Sequence, residues 1–238
     1  MILYKYLTLE GLEACIQNRT LKFSAPHTFN DPFDFSASPH GLCSHPHWEK
    51  TMSNPDRLFM YRRQLGVLCL TRNPLNSLMW SHYGDKHTGA VIGIETEYCG
   101  LECSEDNLIP ALSGSVQYHS RRPDVSSDIL PSVEFLSATN RQLLERLFLI
   151  KAAHWAYEEE VRVVRKLKNI SNYELIPFNP VHGIAEIYVG AAFFSQQPSE
   201  YEPIKRKFVK IFENLPAKKF VCGLHQTTWE LETSPWLD

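Results

Sequence analysis

No apolar run in this 238-residue chain approaches the ~20 residues that a membrane-crossing helix needs. The opening Met1-Ile2-Leu3-Tyr4-Lys5-Tyr6 has neither the basic start nor the long apolar stretch of a secretory signal. Positive charge is not in excess: 24 Lys and Arg stand against 27 Asp and Glu, a formal net charge of −3. That argues against holding nucleic acid through overall charge, and it leaves a local basic patch open. The six cysteines, Cys15, Cys43, Cys69, Cys99, Cys103 and Cys222, are scattered, with Cys99 and Cys103 alone close together. Without a signal they read as reduced, mostly buried thiols, and Cys69 sits inside an apolar run that disfavours a reactive thiolate. There is no phosphate-cradling glycine loop, no G-x-S-x-G elbow, no H-E-x-x-H, no internal repeat and no low-complexity tract. These absences predict a cytoplasmic protein with no membrane partner. Nothing in the pattern speaks to oligomeric state.

What is present is an ordinary globular composition, 43% hydrophobic and 21% charged. At 27.4 kDa, size scaling gives a folded surface of roughly 11,000 Å² against about 40,000 Å² unfolded. One mixed α+β domain over residues 1–238 is expected, with a poorly patterned insertion or lid at 36–64.

The patterning supports that class. Tyr4 to Tyr6 reads as a first strand, and Thr8 can cap a helix whose stripe is Leu9, Leu12, Cys15 and Ile16. Residues 21–24 form a second strand, 66–71 a strand buried on both faces, and 79–84 a short helix. Buried strands follow at 89–95 and 184–189, and Val116 to Tyr118 alternates as well. Residues 133 to about 153 predict the clearest helix, with Leu136, Leu143, Leu144, Leu147 and Ile150 near one face. From Tyr157 the period falls to two. Ser199-x-x-Glu202 is a capping box opening a helix, and strand-like pieces at 219–224 and 227–232 complete the chain.

The strongest chemical signal is Glu158-x-Glu160-x-Arg162. On a strand all three point to one face, and carboxylates about 7 Å apart repel, making one a candidate for a raised pKa that Arg162 could offset. Such a set suits stabilisation of a developing cation; the alternative is a solvated acidic edge. In Phe29-Asn30-Asp31-Pro32-Phe33-Asp34, Pro32 extends Asp31 and the two Phe could anchor Asn30 and Asp31 rigidly. An ordinary Asx-type turn fits equally. Trp80, Tyr83 and His87 share one helical face on which a flat ring could stack, or which could be core. His40, Cys43, His45 and His47 are metal-ligand types without a closed zinc spacing, so no metal site is assigned.

Together these segments resemble the bacterial DUF2971 domain family. The stretches that carry the resemblance are residues 3–6, 21–24 with 29–33, 68–71, Met79-Trp80-Ser81-His82-Tyr83 with His87-x-Gly89, and Lys151-x-x-x-Trp155-x-Tyr157-Glu158-x-Glu160-x-Arg162. The order of elements also resembles the ADP-ribosyltransferase fold, a split sheet with flanking helices that binds NAD in a cleft. This second resemblance implies NAD as substrate and Glu160 as the carboxylate that stabilises the ribose cation. It also implies Glu158 as the residue aiding acceptor deprotonation, with Arg162 beside them. Tyr4 or Lys5 would hold the nucleotide, and Tyr83 or Trp80 would stack on nicotinamide. Ser24, Asn30, Asp31 and His82 complete the candidate ligand-binding set. The implied enzyme modifies a protein or nucleic-acid acceptor, in a toxin or phage-defence setting. Two alternatives stand beside it: a metal-dependent nuclease or hydrolase using Asp31, Asp34, Glu158 and Glu160, with Lys151 on a phosphate, and a non-catalytic nucleotide-binding or regulatory module.

Overall fold

A computed structural model describes residues 1–31, 33–35, 54–123, 130–193, 206, 208–210, 212 and 215–236. In chain order its elements are β1 (Ile2–Leu7), α1 (Leu9–Asn18), β2 (Thr20–Ser24), α2 (Asn54–Gln64), β3 (Leu65–Thr71), α3 (Ser77–Tyr83) and β4 (Ala90–Glu95). There follow β5 (Gln117–His119), α4 (Arg141–Phe148), β6 (Ile150–Ala152), β7 (Glu160–Lys166), β8 (Tyr173–Pro177), β9 (Ile184–Val189), β10 (Lys218–Leu224) and β11 (Leu231–Pro235). This is the mixed α+β class that the patterning predicts. Among the described residues no helix is long and apolar enough to cross a membrane.

Two compact units emerge. Met1–Leu21, Leu70–Cys99 and Pro177–Asp238 form the first, and Lys22–Cys69 and Gly100–Ile176 form the second.

In the first unit β4 lies between β1 and β9, antiparallel to both; β10 runs parallel to β9, and β11 is antiparallel to β10. Residues 90–94 are buried throughout, which explains a continuous apolar run where one-sided strands would alternate. Helix α1 follows its sequence signals: Thr8 Oγ1 accepts from the Gly11 amide at 3.1 Å, Leu9, Leu12 and Cys15 are buried, and Arg19 closes the helix in a left-handed conformation. Helix α3 starts where Asn76 Oδ1 accepts from the Leu78 and Met79 amides. It stops at Tyr83, because Gly84 caps it and Asp85, Lys86 and His87 all take positive φ. The helical face expected to join Trp80, Tyr83 and His87 therefore ends before His87. That turn brings Gly89 against Leu7, whose carbonyl oxygen would lie 2.3 Å from a Cβ at position 89, so a side chain has no room there.

The second unit packs Tyr61, Leu65, Val67, Ile109, Leu144, Leu147, Phe148 and Val164 into one core. Of the expected insertion, residues 36–53 lie outside the described residues. Residues 54–64 are α2, whose Tyr61 is fully buried and donates its hydroxyl to the Pro131 carbonyl at 2.6 Å. The long helix expected over 133–153 is instead broken into a 3-10 turn at Val133–Phe135, another at Ala138–Asn140, then α4 and β6. Ser137 and Asn140 cap each other and restart the helix. At its far end residues 150–152 leave the helical ladder to pair in parallel with β5. Of the apolar stripe, Leu136, Leu143, Leu144 and Leu147 are buried, while Ile150 is half-buried on β6. The helix opened by Ser199 and Glu202 falls mostly outside the described residues; 206, 208–210 and 212 are helical.

Candidate functional site

The site lies in the second unit, where β6, β7 and the loop after β2 bring five charged side chains together. The expected strand alternation fails at its first residue. Glu158 ends a 3-10 turn (Ala153–Glu158), Glu159 takes a positive φ of 45°, and β7 starts at Glu160. The carboxylates nevertheless meet, through a cation. Lys151 Nζ lies 2.5 Å from Glu158 Oε2, 3.1 Å from Glu160 Oε2 and 3.8 Å from Asp34 Oδ2.

Arg162 completes the cluster by serving two carboxylates at once. Its Nε donates to Glu160 Oε1 at 2.8 Å and its Nη2 to Glu160 Oε2 at 2.9 Å, while Nη1 and Nη2 donate to the two Asp34 oxygens at 2.8 and 2.7 Å. Nη1 also reaches the Phe148 carbonyl at 2.9 Å. Arg162 is 1% exposed, Glu158 3%, Glu160 5% and Asp34 7%. Three carboxylates against two cations leave one formal negative charge within the cluster. Buried ions of this kind persist only when paired and hydrogen-bonded.

The electrostatics reverse one expectation. Burial by itself pushes the Glu160 carboxyl up, but the Arg162 and Lys151 charges outweigh it and bring it down to about 2. The raised carboxylate pKa expected from the Glu158–Glu160 pair is thus not what Glu160 shows; it is held ionised. Lys151, which burial alone would push down, is instead raised by Glu160, Glu158 and Asp34 and stays an ammonium. Beside it the Tyr118 hydroxyl accepts the Glu160 amide at 2.9 Å, and burial pushes the phenol up to about 12.

The loop after β2 is anchored differently from expectation. Asp31 Oδ1 accepts from the Phe33 amide at 2.8 Å in an Asx-type turn, and Oδ2 accepts from Trp155 Nε1 at 2.9 Å. Phe29 packs against the core, but Phe33 is 58% exposed, so one of the two Phe anchors and the other does not. Asn30 is exposed, and Ser24 sits half-buried on β2 opposite Val67.

The remaining predicted ligand residues, Tyr4, Lys5, Trp80, His82 and Tyr83, belong to the first unit. Tyr4 donates its hydroxyl to Glu186 at 3.0 Å, and Tyr188 donates to the same oxygen at 2.9 Å. Trp80 is a core residue with no exposed surface: its Nε1 donates to the Pro74 carbonyl at 2.9 Å, His87 stacks on it and Tyr6 meets it edge-on. A ring already covered in this way offers no face to nicotinamide, which corrects that role for Trp80. His82 is exposed and Tyr83 half-buried, their rings 6.1 Å apart.

The metal alternative loses its geometry here. Lys151 and Arg162 stand between the carboxylates that Mg²⁺ would have to bridge. Among the described residues no group of three or more His, Cys, Asp or Glu is disposed to hold a metal. His40, Cys43, His45 and His47 lie outside the described residues.

Beside the cluster is a cavity of about 250 Å³ whose border includes Asp31, Asp34 and Lys151 together with His119, Arg121 and Arg122. Strands β5 and β6 set it up: Tyr118 registers with Lys151 and His119 with Ala152, and both strands run out at the cavity. Sequence reasoning singled out neither Tyr118 nor these basic residues, and it placed Asp34 only among metal ligands. No local signal marks Asp34, which lies 128 residues from Arg162 in the chain.

Residues 79–163 match the model of the DUF2971 family, described as a protein of unknown function. The matched stretch contains Tyr118, Lys151, Glu158, Glu160 and Arg162. No curated protein and no solved structure matches the chain.

Proposed function

We propose that the second unit is the catalytic part of an NAD-splitting enzyme of ADP-ribosyltransferase type. The bond from ribose to nicotinamide breaks, its electron pair leaves with nicotinamide, and the ribose carbon becomes cationic. Glu160 stabilises that cation, and an acceptor nucleophile on a protein or nucleic acid forms the new bond as its proton passes to Glu158. The observation that carries this reading is Lys151, which borders the cavity and bonds both carboxylates. A ligand in the cavity meets Lys151 and Asp34, which belong to an acid cluster whose Glu160 stays ionised at neutral pH and which carries one formal negative charge beyond its cations. A fixed, buried charge of that sign favours a developing cation without reorganisation.

The test is nicotinamide release from NAD in the presence of cell lysate, comparing wild type with Glu158→Gln and Glu160→Gln, with a melting curve for each. Loss of one charge stabiliser should lower the rate about 10²–10³-fold. Undiminished release in both variants, or none from wild type, sinks the catalytic reading. A second reading, nucleotide binding without turnover, is favoured by one feature: both Glu160 oxygens are engaged by Arg162 and Lys151. Tight NAD binding with no nicotinamide released selects it.

A further inference from the structure

The cavity of the second unit has more basic groups than its neighbours use. Its two bordering carboxylates are committed elsewhere: Asp34 spends both oxygens on Arg162, and Asp31 receives the Trp155 indole and the Phe33 amide. Lys151 is committed to Glu158 and Glu160. Arg121 and Arg122 are left. Both are exposed, and among the described residues neither is paired with a carboxylate. Arg122 is nevertheless positioned, its guanidinium 4.6 Å from the centre of the Phe33 ring. Phe33 comes from the loop after β2 and Arg122 from the segment after β5, so this contact ties two borders of the cavity together. It also gives a use to an apolar ring that is 58% exposed.

Size narrows the ligand. Pockets that hold whole drug-sized molecules run to roughly 300–1,000 Å³. A cavity of about 250 Å³ takes a part of a dinucleotide rather than all of it. Two arginines on the border of one cavity offer two forks of N–H donors, and a diphosphate has the oxygens to meet both where a single carboxylate meets one. We infer that this cavity is a diphosphate subsite, with Arg121 and Arg122 as its recognition residues and Phe33 holding Arg122 in place. That the diphosphate belongs to NAD rests on the proposed function above; the chemistry of the subsite does not.

The experiment is calorimetric titration of the full chain with pyrophosphate, ADP-ribose and inorganic phosphate. The same titrations are run on Arg121→Gln/Arg122→Gln, Arg122→Lys and Phe33→Ala, with circular dichroism to verify folding. Pyrophosphate and ADP-ribose should bind at least about tenfold more tightly than phosphate, and the double Gln variant should lose at least about tenfold, the scale of one charge-assisted hydrogen bond. Arg122→Lys, which keeps the charge and loses the fork, should fall between. Phe33→Ala should weaken pyrophosphate without unfolding the chain. Equal affinity for phosphate and pyrophosphate, or affinity unchanged in the double variant, overturns the inference. So does arginine-dependent binding of a single-stranded oligonucleotide with none of pyrophosphate. NAD splitting with unaltered KM in the double variant removes this subsite and leaves the proposed function. Arginine-dependent pyrophosphate binding in a chain that releases no nicotinamide does the reverse.

Discussion

The two units bury different chemistry. Every buried charged residue among the described ones, Asp34, Glu158, Glu160 and Arg162, lies in the second unit. The buried polar groups of the first unit, Thr71, Thr88 and Thr96, are neutral hydroxyls, and those of Thr88 and Thr96 donate to backbone carbonyls nearby. Hydrophobic residues of similar volume often stabilise a core as well as a buried ion cluster does. Among the described residues the buried ions are thus concentrated in the second unit, in a cluster whose Asp34 and Lys151 border its cavity, while the first unit follows ordinary core rules.

That contrast can be broken most severely at Arg162. Arg162→Met leaves the buried carboxylates of Asp34, Glu158 and Glu160 to share Lys151, and losing one partner of such a cluster costs about 3–5 kcal/mol. Thermal unfolding should fall by roughly 10 °C or more. A shift of a degree or two would mean that the cluster is far less tightly coupled than its bond lengths indicate.

Acid sharpens the same contrast. Glu160 has an ordinary value of 4.5 and lies at about 2 in the fold, so the unfolded chain takes up its proton first. The stabilisation is complete above about pH 4.5 and is lost as pH falls towards 2. The gap is worth roughly 3 kcal/mol. Trp155 fluorescence, which reports on the second unit, should therefore show an acid transition that Glu160→Gln flattens, at the expense of lower stability at neutral pH. Stability that rises on acidification would contradict the pairing.

The smallest effect belongs to the first unit. Thr8→Ala removes the cap of α1 and should cost about 1 kcal/mol, leaving the acid transition of the second unit where it was. Urea denaturation at pH 7 and pH 4 separates the two quantities.

Elements ruled by neighbouring residues are legible in the amino-acid order. Thr8, the Leu9-Leu12-Cys15 stripe and the apolar run of β9 need only spacing and capping rules. The helix expected over 133–153 misleads because most of its stripe is right and its ends are not. Ser137 and Asn140 interrupt it, and β5, whose residues 117–119 come much earlier in the chain, draws residues 150–152 into a strand. The acid pair is legible as residue types and not as geometry. One left-handed residue, Glu159, takes Glu158 off the strand, and Lys151 brings it back to Glu160.

By itself the amino-acid order determined the mixed class, most strand positions, the Thr8 cap and the gathering of Glu158, Glu160 and Arg162 within five residues. Tertiary structure decided which charges neutralise which. Asp34 reaches Arg162 from 128 residues away, and that contact, with Lys151, helps turn an expected repulsive pair into an ionised, cation-bound cluster. Propensity and capping act within a turn or two of chain. Coulomb attraction depends on separation in space and on the exclusion of water, and neither quantity can be read from position in the sequence.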